Sequence, residues 1–299
     1  MNRGIRPRLG SGRWAAGIVG FAMLVAGTVF VLDVGFARTP SGETDRARAL
    51  PTRVEIIDLL GPLRGIPVPF LWSMIGHAGA QQNPRARRAP ARLLTWFLPE
   101  RPDVLYDLAW RRTYDDASLE EGAEAQVDSL LDALDLLDEA ARNDPSDGTP
   151  LAWQGFHLVT RCADQEGAAA RRRAFEQKTG IDPLELADRL LERAAERSDG
   201  IDWVRWQRAT ALETLAVGAT TRGADADAAE YLVQAAELWA DVEPGRAALL
   251  RRLAVAIRDG NQDPAKRLSR SDRSALAADF VFGRDASLWL DRIPSQDRD

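Results

Sequence analysis

The chain has 299 residues, of which 45% are apolar, and a formal net charge of −6. That composition supplies a buried core and excludes an intrinsically disordered chain, and the acidic balance gives no general attraction for nucleic acid. One cysteine (Cys162) and two histidines (His77 and His157) cannot form an intramolecular disulfide or a typical structural zinc site, so no metal or other cofactor is expected.

Residues 1–13 form a basic leader, with Arg3, Arg6, Arg8 and Arg13 and no acid. The next segment, 15–32, is AAGIVGFAMLVAGTVFVL and carries no charge. As a helix its eighteen residues would span roughly 27 Å, close to the ~30 Å hydrocarbon thickness of a bilayer. With Trp14 at its edge, this predicts a single membrane anchor over 14–36. Positive residues stay on the cytoplasmic side, so a single pass through the inner (cytoplasmic) membrane is expected, with the N-terminus inside and the bulk of the chain outside the cytoplasm. Gly35-Phe36-Ala37 keeps a second reading open, in which 14–36 is a cleaved signal peptide.

Residues 37–50 are polar, with Pro40 and Gly42, and read as a linker. From 51 to 293 helical periodicity dominates, and 294–299 form a polar tail. The segment 61–79 is apolar but holds Pro62, Pro67 and Pro69, so a continuous helix is expected only from Phe70 onward. Over 119–142, Val127, Leu130, Leu131, Leu134, Leu137 and Ala141 form one apolar stripe. Glu121, Glu124, Asp128, Asp132, Asp135 and Glu139 occupy the opposite face, and Ser118 stands three before Glu121, the spacing of a capping box. Further helices are expected over 184–197, opened by Asp182-Pro183, and over 201–217, 225–241, 245–258 and 271–282. No stretch shows the alternation of a strand.

The joins between helices carry a pattern. Ala133, Leu137, Ala140 and Pro145 are followed by Gly155, ten residues past the proline. Ala187, Leu191 and Ala194 repeat the triad, and Pro99 precedes Leu105, Leu108 and Ala109. This resembles the tetratricopeptide repeat in degenerate form, over about 95–220, and the segment from Gly61 to Trp72 resembles one found before such repeats in bacterial membrane-anchored proteins. The two triads lie 54 residues apart, which departs from the family period of roughly 34. The resemblance implies an all-α fold, with a single transmembrane helix followed by an irregular helical-repeat domain that binds a partner along a groove. An irregular helical bundle is the alternative.

Catalytic motifs are missing. There is no phosphate loop, no paired-histidine zinc motif and no Gly-x-Ser-x-Gly elbow. His157 and Cys162 are five apart on one helix and diverge, and adjacent acids such as Asp115 and Asp116 point apart on a helix. Charge is segregated instead. Residues 85–112 hold seven arginines against three acids, and 115–147 hold twelve acids against Arg142 alone. These helices either pair with each other or present a polarised surface to a partner. The candidate partner-binding residues are Arg88, Arg92, Trp96, Trp110, Trp153, Trp203 and Trp206, because arginine and tryptophan dominate interface anchors. The function read from the sequence is a non-enzymatic, membrane-anchored scaffold or assembly factor for a protein partner in the bacterial cell envelope. The alternatives are an envelope hydrolase using carboxylates in a deep pocket, and a structural subunit of a membrane complex.

Overall fold

The computed structural model describes residues 67–98, 101–198, 202–259, 266–279, and residues 281, 290 and 293. The leader, anchor, linker and tail expected from the sequence lie outside the described residues. Among the described residues all regular structure is helical, and no helix is long and apolar enough to cross a membrane.

The order begins with α1 (Pro67–Ala80), α2 (Pro84–Phe97) and α3 (Pro102–Arg111). A π-turn (Arg112–Asp116) and a 3-10 turn (Ala117–Leu119) lead into α4 (Ala123–Asn143). Next come α5 (Thr149–Val159), a second π-turn (Thr160–Asp164), α6 (Ala168–Thr179) and α7 (Pro183–Arg197). The chain continues through α8 (Asp202–Arg222), α9 (Asp225–Trp239), α10 (Pro244–Asp259) and α11 (Arg270–Ala278).

Local chemistry sets several boundaries. Asn83 caps α2 by accepting from the Ala86 N–H at 3.1 Å, and Asp182 caps α7 by accepting from the Leu184 N–H at 2.9 Å. Prolines occupy the first turn of α1, α2, α3, α5 and α7, where the missing N–H would have had no helical partner. For that reason α1 begins at Pro67 and not at Phe70: Pro67 and Pro69 both sit in its first turn. The capping box at Ser118 does not form. The π- and 3-10 turns intervene, Ser118 Oγ donates to the Asp115 carbonyl at 2.7 Å, and α4 starts behind Gly122 at φ +87°. The helix α6 has no counterpart in the sequence pattern, because its inward row of Ala168, Arg171, Ala174 and Phe175 includes an arginine. The helix α8 runs past Gly218 to Arg222, and α11 stops at Ala278, short of the expected 282.

Helices pack mainly with their chain neighbours: α1 with α2, α3 with α4, α8 with α9 and α9 with α10. The exception is α5, which packs on α7 while α6 sits beside α4 and the second π-turn. Gly155 makes the α5–α7 approach possible. A Cβ there would lie 2.7 Å from Leu191 Cδ2 and closer still to Cγ. Along α4 the buried row is Val127, Leu130, Ala133, Leu137 and Ala140, and five of the six acids assigned to the outer face are exposed; Glu139 is half-buried instead.

Ion pairs tie these layers together. Buried Asp116 accepts from Arg87 Nη1 at 2.8 Å and Arg112 Nη1 at 3.2 Å, and Arg112 also bonds Asp132. The basic and acidic stretches of the sequence therefore pair within the chain at these positions. Burial pushes the Asp116 carboxyl above the usual carboxylate range, and the two guanidiniums oppose that rise. In the C-terminal half, fully buried Glu213 of α8 accepts from Trp239 Nε1 at 2.7 Å and Arg246 Nε at 3.0 Å. Arg246 reaches on to Asp279 at 2.6 Å and lies 5.2 Å from the Trp239 ring centroid, so one network joins α8, α9, α10 and the end of α11.

Candidate functional site

An aromatic face forms where α3, α5 and α8 meet. On α3, Tyr106, Trp110 and Tyr114 recur every four residues; the last lies in the π-turn that extends the helix. On α5, Trp153, Phe156 and His157 share one side by the three- and four-residue spacing of a helix. The start of α8 brings Trp203. Trp110 stacks on Phe156 with 6.3 Å between centroids and 16° between planes, and meets Trp153 edge-on at 6.0 Å. Trp153 meets Trp203 at 5.7 Å, and Phe156 meets Trp203 at 5.8 Å. These separations and tilts fall within the range favoured by aromatic quadrupoles.

The face is graded from buried to open. His157 is buried, Tyr114, Trp153, Phe156 and Trp203 are half-buried, and Trp110 remains 43% exposed. One turn beyond Trp203, Trp206 is 45% exposed. An array of this kind offers a preformed apolar surface whose side chains have already lost their rotamer freedom. Its polar anchors are few. Tyr106 Oη donates to Asp147 Oδ2 at 3.3 Å, and burial followed by that carboxylate raises the phenol's pKa. His157 Nδ1 lies 3.2 Å from Tyr114 Oη. Burial pushes the His157 imidazole down to about 4, so it is neutral at pH 7.

The seven residues singled out in the sequence separate clearly. Trp110, Trp153 and Trp203 come together as one array. Trp206 lies on the same helix as Trp203, is exposed, and has no ring partner among the described residues. Arg92 is exposed on α2 and belongs to a different part of the fold. The side chains of Arg88 and Trp96 lie outside the described residues. Tyr114, Phe156 and His157 join the face although none of them is among those seven; in the sequence pattern His157 stands out only beside Cys162. Their offsets from Trp110 and Trp153 were the available signal, since four residues on one helix, and three and four on the other, put them on the tryptophan side.

Cys162, the one thiol nearby in sequence, is 2% exposed, and burial pushes its pKa up to about 12, so it stays protonated and unreactive. Among the described residues no cluster of three or more His, Cys, Asp or Glu could hold a metal ion. The arginines around the second π-turn are spent on structure: Arg171 donates to the Arg161 carbonyl at 2.7 Å and the Glu166 carbonyl at 2.7 Å. The arrangement is a half-buried aromatic surface in an all-helical protein with paired neighbouring helices. No family model, curated protein or solved structure matches the chain.

Proposed function

We propose that this protein is a membrane-tethered, non-enzymatic helical-repeat scaffold or assembly factor of the bacterial cell envelope. It grips a protein partner through the aromatic face of α3, α5 and α8. The observation that carries the reading is the continuous ring contact from Trp110 through Phe156 and Trp153 to Trp203, across three helices that are not consecutive in the chain. Each ring comes from the first helix of a pair: α3 before α4, α5 before α7, and α8 before α9. Stacked pairs that line one face with their first helices produce a groove shared between repeats.

The repeat reading also gains an account of its irregular period. Subtracting a unit of about 34 residues from the 54 between the two triads leaves about 20. Residues 165–182, which carry α6, are nearly that long and lie between the paired helices α5 and α7. The tetratricopeptide-like unit is thus interrupted by a one-helix insertion. Gly155 against Leu191 is then the close contact within the interrupted pair.

The test is affinity capture from detergent-solubilised membranes with the full chain and with Trp110→Ala and Trp206→Ala. Exposed tryptophan anchors typically contribute 2 kcal/mol or more, so each substitution should cut recovery of a specific partner about thirtyfold at limiting concentration. Unchanged recovery with both substitutions together would remove the aromatic face from the function.

A further inference from the structure

The helix α1 presents an apolar face that stays exposed among the described residues. Its inner row of Leu71, Ile75 and Ala78 is buried, with Leu71 and Ile75 packed against Leu94 of α2 and Val104 and Leu108 of α3. Its outer row holds Phe70 at 52% exposure and Met74 at 43%, one turn apart, continuing to exposed His77. No Asp, Glu, Lys or Arg occurs in α1. The helix α5 is equally uncharged, but there most side chains are buried. An uncharged helix that keeps a phenylalanine and a methionine in water is expected to have an apolar medium to meet.

The charge of the sequence around α1 favours an anionic medium. From Leu59 to Pro99 the sequence has five arginines, at 64, 85, 87, 88 and 92, and no acid. One of them, Arg87, is spent on Asp116. Arg92, on α2, is exposed and makes no ion pair or side-chain hydrogen bond among the described residues. In a chain with six more acids than bases, an acid-free run of this length is complementary to an anionic surface. These arginines begin 32 residues beyond the apolar run 15–32, outside the roughly 15–20 residues over which flanking charge sets orientation, so they do not conflict with an outward-facing domain.

We propose that the α1–α2 hairpin rests on the anionic lipid surface of the membrane that holds the chain, with Phe70 and Met74 entering the headgroup–acyl boundary and Arg92 facing lipid phosphates. This rests on the reading of 14–36 as a retained anchor. The tether strengthens the contact. A short connection from anchor to hairpin confines α1 near the bilayer at an effective concentration in the millimolar range, so even a weak apolar and electrostatic contact is populated. The consequence is a fixed orientation: the hairpin sets how far the aromatic face stands from the membrane.

Site-specific fluorescence quenching tests the contact. The full chain with Cys162→Ala, carrying a single bimane-labelled cysteine at Phe70→Cys, Met74→Cys or, on α9, Val233→Cys, is reconstituted into nanodiscs containing brominated lipid. The probes at 70 and 74 should be quenched and the probe at 233 should not. Quenching should be stronger with phosphatidylglycerol present than with phosphatidylcholine alone. Each basic residue near an anionic surface contributes a factor of roughly five, so Arg92→Glu should remove most of that lipid preference. A chain retained in the nanodisc with an unquenched probe at 74 overturns the hairpin contact alone, as does equal quenching at 233. A chain that is not retained overturns the anchor and the hairpin contact with it.

Discussion

Replacing Gly155 by alanine tests the packing on which the domain depends. In an open helix position this change stabilises by about 1 kcal/mol, because glycine has the poorer helix propensity. At Gly155 the new methyl would stand 2.7 Å from Leu191 Cδ2 and nearer to Cγ, distances that normal side chains do not reach. The clash falls on the branch point of a fully buried leucine, so rotation about χ2 cannot relieve it, and a χ1 change would take Leu191 out of its packed position. Either α5 and α7 move apart or Leu191 leaves its well, and overpacking of this kind costs about 1–3 kcal/mol. Set against the propensity gain, the net change should run from near zero to a loss of about 2 kcal/mol, against a gain of about 1 kcal/mol at an open site. Gly76 of α1 is the control, since a Cβ there meets nothing within 4 Å and Gly76→Ala should stabilise. Urea titrations of the full chain in mild detergent, followed by circular dichroism, give both values. In the double variant Gly155→Ala/Leu191→Ala the two losses should be less than additive, because the new methyl partly fills the space left by the leucine. A Gly155→Ala variant as stable as Gly76→Ala would refute the direct α5–α7 contact.

Three further outcomes follow from buried groups. Glu213→Ala leaves Arg246 partly buried with only Asp279 as counter-ion and orphans the Trp239 N–H, so urea melts should show a loss of about 3 kcal/mol, the low end for a broken buried pair; a loss under about 0.5 kcal/mol would contradict this. His157 is held neutral with a pKa near 4, against about 6.5 in the unfolded chain, so the unfolded state binds the extra proton between those values. Stability should therefore fall as pH drops from about 6.5 towards 4, by up to about 3 kcal/mol from this group, and the fall should be smaller in His157→Gln; parallel pH profiles would count against it. Ala140 is 2% exposed in the α4 interface and Asp135 is exposed on the opposite face. Ala140→Leu should cost about 1–3 kcal/mol in the same melts and Asp135→Leu no more than about 0.5, and equal costs would mean that the inward face of α4 is misassigned.

How much of this was legible in the sequence differs by region. Where a helix alternates an apolar stripe with acids, as in α4, periodicity located the element and Val127, Leu130 and Leu137 of its buried row, but Leu131, Leu134 and Ala141 of the stripe are half-buried, and the small Ala133 and Ala140 take the inward positions where helices approach closely. Capping chemistry located the start of α7 through Asp182-Pro183. The α6 helix escaped because its buried row includes Arg171, whose guanidinium is satisfied by carbonyls of the preceding turn; apolar periodicity cannot register a buried arginine. The start of α1 was misplaced because three prolines in 61–69 read as a breaker, although prolines in a first turn remove no helical bond. The π-turns have no sequence signature, and without them neither the failure of the Ser118 cap nor the place of Tyr114 against His157 follows. For the aromatic face, residue type found the tryptophans, but only tertiary packing separates the joined set of Trp110, Trp153 and Trp203 from the solitary Trp206.

The central claim, that the aromatic face of α3, α5 and α8 is where a partner docks, is tested most directly by site-specific photo-crosslinking in intact cells. A benzophenone amino acid is placed at Trp110, at Trp206 and, as an equally exposed control on α9, at Val233. The account predicts one discrete crosslinked protein of the same mass from positions 110 and 206 and none from 233. The same product from all three positions, or no product from 110 and 206 while 233 yields one, would contradict it.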